Sequence, residues 1–402
     1  MVMMMTTKPP SSAASAMTFS MRSKEDIVTQ LEDHEAKRSK AAIDRVRDLV
    51  GASRLSVADR VAQLYNEYIP LDRDKLLKDA LMASVASVTI PITGKPDKRR
   101  IVAICGRSGA GKTTAIVKHI QSLKAMAAYV DEDSVKVHPV IFIEAPSPCT
   151  PRLLAIAGLE ALGHTPPDRI RENEAWFLFR RLLKVHKVMW VVIDEAQHAI
   201  ESATVREATV IGDAFKNLTQ MADWPVRLIL VGVPPLASFL ARKQLYNRRT
   251  VIPFDTVDAD GNTDLVESIL KTIVLEHAGM ELRIDLEAEE NQEEAGATNK
   301  ERDFLKRLVH ACDAEFGSVV QMIRAAVELA MLAGREHVLL DDFVKTYASF
   351  SGCRPSKNVF TAANWQELDP TTALLRDDDR SWEENKLKIK GKNATKYGVR
   401  PQ

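Results

Sequence analysis

The chain has 402 residues, of which 45% are apolar, and its 55 basic side chains balance 55 acidic ones. This balance excludes a globally basic protein that coats nucleic acid, although it leaves room for a local basic channel. No apolar run is long enough to span a membrane, and the four cysteines lack the C-x-x-C pairing of structural zinc sites.

The first 60 residues divide into two segments. Residues 1–22 have neither the apolar core of a signal peptide nor helical periodicity, so we expect them to be disordered. Residues 23–60 are charged and carry apolar side chains such as Ile27, Leu31 and Ile43 at helical spacing. This spacing predicts one or two amphipathic helices.

Residues 61–255 predict an α/β core. Four apolar runs alternate with helical segments, and they are Ile101–Cys105, Val140–Glu144, Val188–Ile193 and Arg227–Val231. Such an alternation is typical of a parallel sheet that helices cover on both faces. Pro234 and Pro235 are expected to end the fourth strand.

The first apolar run leads into a phosphate-loop motif. Gly106-Arg-Ser-Gly-Ala-Gly-Lys-Thr113 matches G-x-x-x-x-G-K-[ST], in which the glycines permit positive φ or a close approach of the backbone to phosphate. Lys112 is expected to bridge the β- and γ-phosphates of ATP, and Thr113 to bind Mg²⁺. The predicted nucleotide-binding residues are Gly106, Arg107, Ser108, Gly109, Ala110, Gly111, Lys112, Thr113, Thr114 and Asp194.

Two carboxylates end the third apolar run. Because parallel strands present their carboxyl ends at one edge of the sheet, Asp194 and Glu195 are expected to lie near the phosphate loop. Asp194 is predicted to hold Mg²⁺ together with Thr113, and Glu195 to polarise the attacking water. The sequence therefore predicts an ATPase with Lys112 and Glu195 as catalytic residues.

The carboxyl-terminal third differs from the core. The pattern of residues 256–352 is helical throughout, apart from an acidic exposed loop at 287–297, and it predicts a small helical lid. Residues 353–402 lose periodicity and are expected to be largely disordered. The basic residues that follow Glu384 suit contact with DNA phosphates, contact with an acidic partner, or solubility alone.

The residues around these acids resemble a known family. The string Asp194-Glu-Ala-Gln-His198 is similar to the acidic motif of the MuB/TniB/TnsC group of transposition ATPases in the AAA+ superfamily, with TniB and TnsC the most similar. Residues 139–163 resemble that family's second strand and the proline-rich loop and helix after it. Residues 227–249 resemble its next core strand and a helix end that bears arginines.

The resemblance implies an AAA+ P-loop NTPase core, followed by a helical lid. It also implies a bacterial, cytoplasmic, DNA-associated protein that forms a ring or helical filament of identical subunits with ATP on duplex DNA. Such a protein recruits a transposase and works with a target-selector protein of the TniQ or TnsD type. Residues 23–60 would dock a partner, and Trp365, Trp382 and Tyr397 are candidate anchors for the transposase.

The resemblance also assigns two further groups of residues. Arg248 or Arg249 would act on the γ-phosphate of a neighbouring subunit, unless the pair is an ordinary basic surface. Lys118, Ser147, Thr150 and Arg152 would contact the phosphates of DNA without reading base sequence. Thr150 is equally suited to cap the helix that begins with Pro151 and Arg152.

Other features depart from the family or leave alternatives open. Val233 lacks the polar group that many AAA+ proteins place at the end of this strand, and the lid helix lacks an arginine shortly after Gly317. We therefore expect slow hydrolysis, stimulated by DNA or partners.

His198 either relays the nucleotide state or stabilises its own turn. The alternatives are a secretion-type ATPase like ExeA and a nucleotide-gated scaffold without useful hydrolysis.

Overall fold

The computed structural model describes residues 40–90, 100–201, 205–221, 223–241, 245–257, 263–284 and 295–370. Its contacts divide the chain into two units, Met1–Tyr65 and Asn66–Gln402. In the first unit the described residues form two helices, residues 40–49 and the helix that begins at Ala52, and Arg47 forms an ion pair of 3.0 Å with Asp59 between them. Residues 1–22, and the part of the predicted docking segment before residue 40, lie outside the described residues.

Most of the chain is organised around nine strands and thirteen helices within the described residues. The strands are β1 (Ile101–Gly106), β2 (Tyr129–Val130), β3 (Lys136–Val137), β4 (Val140–Glu144), β5 (Trp190–Asp194), β6 (Arg227–Gly232), β7 (Arg249–Phe254), β8 (Glu281–Arg283) and β9 (His337–Leu339). The helices are α1 (residues 40–49), α2 (Ala52–Asn66), α3 (Asp72–Val88), α4 (Lys112–Ser122), α5 (Pro151–Ala161), α6 (Glu172–Val185), α7 (His198–Glu201), α8 (Val205–Thr219), α9 (Pro235–Leu240), α10 (Thr263–Lys271), α11 (Ala295–Ala311), α12 (Phe316–Leu332) and α13 (Leu340–Ser351). A π-helical segment, Thr272–His277, continues α10.

A five-stranded parallel sheet forms the centre of the second unit, with the strand order β4-β5-β6-β1-β7. Neighbouring residues of β5, such as Val191 and Val192, are both fully buried, because apolar clusters cover both faces of the sheet. Phe179 and Phe215 belong to the cluster on one face, and Leu77 belongs to the cluster on the other. The predicted parallel sheet is confirmed.

The fifth strand, β7, was not predicted. Its sequence Arg-Thr-Val-Ile-Pro-Phe lacks a continuous apolar run, because β7 lies at the edge of the sheet and several of its residues are exposed or half-buried. It nevertheless pairs in parallel with the whole of β1, from Ile101 opposite Arg249 to Gly106 opposite Phe254. Pro234 and Pro235 follow β6 as predicted, and Pro235 opens α9.

The lid is not helical throughout, which corrects the prediction from the sequence. The strands β8 and β9 form a small parallel sheet between α10 and α13, with Glu281 opposite His337. Each has three residues, too few to interrupt the helical periodicity of the surrounding sequence. Of the expected acidic loop at 287–297, residues 287–294 lie outside the described residues, and residues 295–297 already belong to α11.

The residues that follow the lid are folded as far as residue 370, so the predicted disordered tail does not begin at residue 353. Phe360 is buried against Phe343 and Tyr347 of α13, with ring centroids 5.9 and 6.0 Å away. Trp365 is also buried, and its ring lies 5.2 Å from that of His310. It therefore packs the lid and is not an exposed anchor for a transposase. Trp382 and Tyr397 lie outside the described residues.

None of the helices in the described ranges is both long and apolar enough to cross a membrane.

Candidate functional site

The phosphate loop joins the carboxyl end of β1 to the first turn of α4. Gly109 and Gly111 have φ of +80°, a left-handed conformation that side chains rarely adopt. Gly106 is required for a different reason: a Cβ at this position would lie 2.5 Å from the carbonyl oxygen of Phe254 in β7. The loop therefore depends on positive φ at two glycines and on close strand packing at the third.

The structure brings Thr113 and Asp194 together, although 81 residues separate them. The Thr113 hydroxyl donates a hydrogen bond of 2.7 Å to Oδ2 of Asp194. A hydroxyl and a carboxylate are oxygen ligands of the kind that Mg²⁺ prefers, so the donor set fits this ion. Because two protein ligands are few, phosphate and water oxygens would complete its shell. The described residues contain no larger cluster of acidic, histidine or cysteine side chains able to hold a metal.

Lys112 lies at the carboxyl end of the phosphate-loop motif, where α4 begins. Its Nζ donates a hydrogen bond of 2.8 Å to the carbonyl oxygen of Arg107. Burial lowers the pKa of Lys112, and the nearby carboxylates of Glu195 and Asp194 oppose this shift. The ammonium group is thus partly desolvated, which strengthens its attraction for a phosphate oxygen.

The turn after β5 has an unusual backbone. Glu195 has φ of +49°, in the left-handed region, and its N–H donates a 2.8 Å hydrogen bond to Oδ1 of Asp194. A non-glycine residue in this region is uncommon, and surrounding contacts must hold it there. His198 supplies one such contact, because its Nδ1 lies 3.2 Å from the carbonyl oxygen of Ala145 after β4. This contact agrees with a stabilising role for His198 in its turn.

Gln197 also lies in this turn, and sequence reasoning assigned it no role. Its side-chain amide donates to the Glu195 carboxylate, and its carbonyl oxygen accepts a 3.2 Å hydrogen bond from the backbone N–H of Val233. The residue is 4% exposed. Its only signal in the sequence is its place in Asp194-Glu-Ala-Gln-His198.

The lid contacts the phosphate loop directly. Arg107 forms ion pairs with Asp313 and Glu315, which precede α12. Burial raises the pKa of Glu315, although the Arg107 guanidinium acts in the opposite direction. Gly317 lies so close to the loop that a Cβ would overlap the carbonyl oxygen of Gly109. Arg107, a predicted nucleotide contact, is thus a link between the loop and the lid.

A cavity of about 340 Å³ opens beside the loop, within the size range of small-molecule sites. Three segments line it: residues 67–73, the loop positions Gly109, Gly111 and Thr114, and the start of α12. Thr114, predicted as a nucleotide contact, is therefore at the cavity wall, whereas Ser108 is an exposed loop residue.

Arg73 is a second residue that sequence reasoning missed. It donates a 2.7 Å hydrogen bond to the carbonyl oxygen of Ala110, and its guanidinium lies 4.0 Å from the ring centroid of Phe254 and 4.8 Å from that of Phe316. Burial lowers the pKa of Arg73. The side chain thus joins α3, the phosphate loop, β7 and the lid at the cavity wall.

Arg248 and Arg249, the two candidates for acting on the γ-phosphate of a neighbouring subunit, lie at the other end of the sheet. Arg249 pairs with Ile101 at the beginning of β1, whereas the phosphate loop follows Gly106 at its end. The Arg249 guanidinium donates a 3.2 Å hydrogen bond to the carbonyl oxygen of Ala237. The structure places Arg248 in a short 3-10 turn, not at the end of a longer helix as expected.

The predicted DNA contacts lie on α4, in the loop after β4 and at the start of α5. Lys118 is exposed on α4, and Ser147 is exposed in the loop after β4. Thr150 is the N-cap of α5, since its hydroxyl accepts a hydrogen bond of 3.2 Å from the Leu153 N–H. Arg152 donates hydrogen bonds to the carbonyl oxygens of residues 168 and 170, at 2.8 and 2.7 Å. The capping interpretation of Thr150 is confirmed, while contact with DNA stays a prediction.

Residues 95–240, less than half of the chain, match the family described as an AAA domain. No curated protein has significant sequence similarity to the chain.

Solved structures with a similar arrangement include three AAA+ proteins of low identity. Cdc6p of Pyrobaculum aerophilum is 15% identical, with 71% of this chain and 69% of that chain covered and a TM-score of 0.47. Orc1 of Aeropyrum pernix, solved in complex with DNA, is 17% identical, with 72% and 69% covered and a TM-score of 0.48. A RuvB variant of Thermotoga maritima is 11% identical, with 71% and 70% covered and a TM-score of 0.38.

The chain has the AAA+ P-loop NTPase fold, with the parallel sheet flanked by helices that the sequence predicted. The match to the AAA domain includes β1, the phosphate loop, β5 and β6. It ends before β7 and the lid.

Proposed function

We propose that the chain is an ATPase that binds ATP and Mg²⁺ at the phosphate loop. The observation that supports this proposal most is the 2.7 Å hydrogen bond between Thr113 and Asp194, beside Lys112 and Glu195. Bound Mg²⁺ would neutralise the charge that develops on the phosphate oxygens. Lys112 attracts the β- and γ-phosphates, and Glu195 accepts the proton of the attacking water.

The cavity next to the loop suits the nucleoside part of the substrate. It continues from the phosphate-binding glycines to the lid, and aromatic and apolar side chains such as Tyr68 and Phe316 line it. Apolar walls favour a flat base, and the lid would exclude water when the site is filled. The nucleotide thus bridges the core and the lid, and its presence biases their relative arrangement.

We further propose that hydrolysis requires a second copy of the chain. The Cα atoms of Arg248 and Arg249 lie at the opposite end of the strands from the phosphate loop, so an arginine for the γ-phosphate is best supplied by a neighbouring subunit. ATP would then hold adjacent subunits together, and hydrolysis would release them. A symmetric ring or a helical filament follows from repeating such a head-to-tail contact.

The biological process rests on the resemblance of Asp194-Glu-Ala-Gln-His198 to the transposition ATPases. We propose that the oligomer assembles on duplex DNA, marks a target site, and recruits a transposase together with a target-selector protein. In the first unit, Ile43, Val46 and Leu49 of α1 are strongly exposed, which supports a docking role for this helix. DNA contact through Lys118, Ser147 and Arg152 would be independent of base sequence and would weaken steeply with salt.

Phosphate release from ATP, with and without duplex DNA, tests the proposal against its alternatives. The expected result is slow release that DNA stimulates and that Glu195→Gln abolishes, while this variant still binds ATP. A rate that Glu195→Gln leaves unchanged would refute the assigned chemistry. Nucleotide binding and assembly without hydrolysis would favour the nucleotide-gated scaffold. Electron microscopy with duplex DNA and a non-hydrolysable ATP analogue tests assembly, and a monomer that ignores DNA would refute that part.

The arginine pair is tested by replacing Arg248 and Arg249 with alanine together. We expect hydrolysis and ATP-dependent assembly to be lost, while the monomer keeps its affinity for nucleotide. The control replaces Arg354 and Lys357, which are exposed beyond α13 and carry the same total charge. Assembly and hydrolysis like those of the parent in the Arg248 and Arg249 variant would contradict the assignment.

A further inference from the structure

Gln197 makes a bridge between two parts of the active site. Its Nε2 donates to the Glu195 carboxylate, and its Oε1 accepts from the Val233 N–H directly after β6. The opposite orientation of the amide would place oxygen against carboxylate and nitrogen against N–H, so only one orientation satisfies both partners. The side chain is almost completely buried, which makes both hydrogen bonds costly to lose.

The backbone around this bridge is built to admit it. Gly232 is the last residue of β6, and a Cβ there would lie 2.6 Å from Oε1 of Gln197. The N–H of Ala196 also donates a 2.9 Å hydrogen bond to the carbonyl oxygen of Val231. The turn that carries Glu195 is therefore attached to the end of β6 by two hydrogen bonds, one from its backbone and one through Gln197.

The attachment matters because Glu195 has a left-handed backbone conformation, with φ of +49°. A non-glycine residue keeps this conformation only when surrounding contacts hold it, so the partners of this turn fix where the carboxylate lies. Among the hydrogen bonds of the described residues, that of Gln197 is the one that a side chain makes to this carboxylate. This donor holds one carboxylate oxygen and leaves the other oxygen to face the attacking water.

We propose that Gln197 is a positioning residue that orients Glu195 and couples it to the end of β6. Val233 has no polar side-chain group, so a movement of β6 that a bound phosphate causes would reach the Glu195 carboxylate through the Gln197 amide and the backbone of the turn through the Ala196 hydrogen bond. The Gln197 side chain thus links the end of β6 to the Glu195 carboxylate, through the Val233 N–H on one side and its own amide on the other. This inference rests on the proposed ATPase function of the same site.

The test uses Gln197→Glu, which keeps the shape of the side chain but places a second carboxylate beside Glu195. The added carboxylate has no N–H to donate to Glu195, so it removes the contact that orients the Glu195 carboxylate. We expect kcat to fall about 10- to 100-fold, because a small misplacement of a catalytic group has an effect of this order. The KM and the affinity for a non-hydrolysable ATP analogue stay close to those of the parent.

Two further variants separate positioning from a structural role. Gln197→Ala removes the bridge, and Gly232→Ala displaces it from the other side through the added Cβ. Each substitution lowers kcat. The kcat of the double variant is no lower than that of Gln197→Ala alone, because both substitutions remove the same contact. Thermal unfolding and analogue binding show whether each variant is folded.

The outcomes are distinguishable. If the parent does not release phosphate from ATP, the proposed function fails. If the parent hydrolyses ATP and folded Gln197→Glu has the kcat of the parent, the inference is overturned. Independent, multiplicative losses of kcat in Gln197→Ala and Gly232→Ala would also overturn it.

Discussion

Replacing Gly317 with alanine tests how closely the lid must approach the phosphate loop. Gly317 lies in the first turn of α12, and an added Cβ would overlap the carbonyl oxygen of Gly109 and lie 3.2 Å from both the Gly109 carbonyl carbon and the Gly111 nitrogen. All three neighbours are backbone atoms, so no flexible side chain can move aside. Restoring ordinary contact requires the lid and the loop to separate by about 1 Å.

The magnitude follows from this overlap. Overpacking of this kind costs about 1–3 kcal/mol when the backbone has to shift. If the closed arrangement of lid and loop bears this whole cost, its population relative to the open arrangement falls by the factor to which that free energy corresponds. Since 1.4 kcal/mol corresponds to a tenfold change, the affinity for nucleotide should fall by about 5- to 150-fold.

Equilibrium binding of a fluorescent ADP analogue with Mg²⁺ measures the effect. Leu332→Ala is the control, because Leu332 is 60% exposed at the other end of α12 and should leave the affinity unchanged. Circular dichroism and thermal unfolding establish that Gly317→Ala is folded. An affinity within about twofold of the parent in the folded variant would refute the argument that the lid and loop close on the nucleotide together.

Two further predictions concern stability. Because burial raises the pKa of Glu315, the folded protein binds this proton more tightly than the unfolded chain does, and the parent should lose stability relative to Glu315→Gln as pH rises above the ordinary glutamate pKa. Thermal melts from about pH 4 to about pH 7 measure the difference between the two proteins, and a difference that does not change with pH would contradict the assignment. In the core, a Cβ at Gly158 would lie 2.7 Å from the ring of Phe179, so Gly158→Ala should destabilise the protein by about 1–3 kcal/mol. Adding Phe179→Leu, which removes ring atoms, should restore part of the lost Tm. If the Tm does not recover, the destabilisation by Gly158→Ala does not arise from contact with the Phe179 ring.

Features carried by short, contiguous patterns could be predicted from the sequence. The phosphate loop is one such pattern, and four strands of the central sheet are others, because a strand buried on both faces must be apolar along its length. The pairing of Thr113 with Asp194 followed from parallel topology, which collects strand ends at one edge. The roles assigned to the arginine pair and to the DNA contacts stay predictions.

The features that were missed depend on contacts between distant residues. The edge strand β7 is only partly buried, so it lacks a continuous apolar run, and its pairing with β1 appears only when the sheet is assembled. Trp365 looked like an exposed anchor because the sequence after residue 353 has no periodicity, yet it packs on α11 through His310. Whether an irregular segment is buried depends on the surface against which it packs, and the sequence of the segment alone does not indicate this.

The same reason applies to the candidate site. The sequence by itself determined which side chains carry the proposed chemistry, since Lys112, Thr113, Asp194 and Glu195 are recognisable from residue type and spacing. Only the tertiary structure decided how that chemistry is held. Arg73 and Gln197 gain their roles from partners on other elements, and a hydrogen bond between distant segments depends on three-dimensional packing that no local pattern of residues encodes.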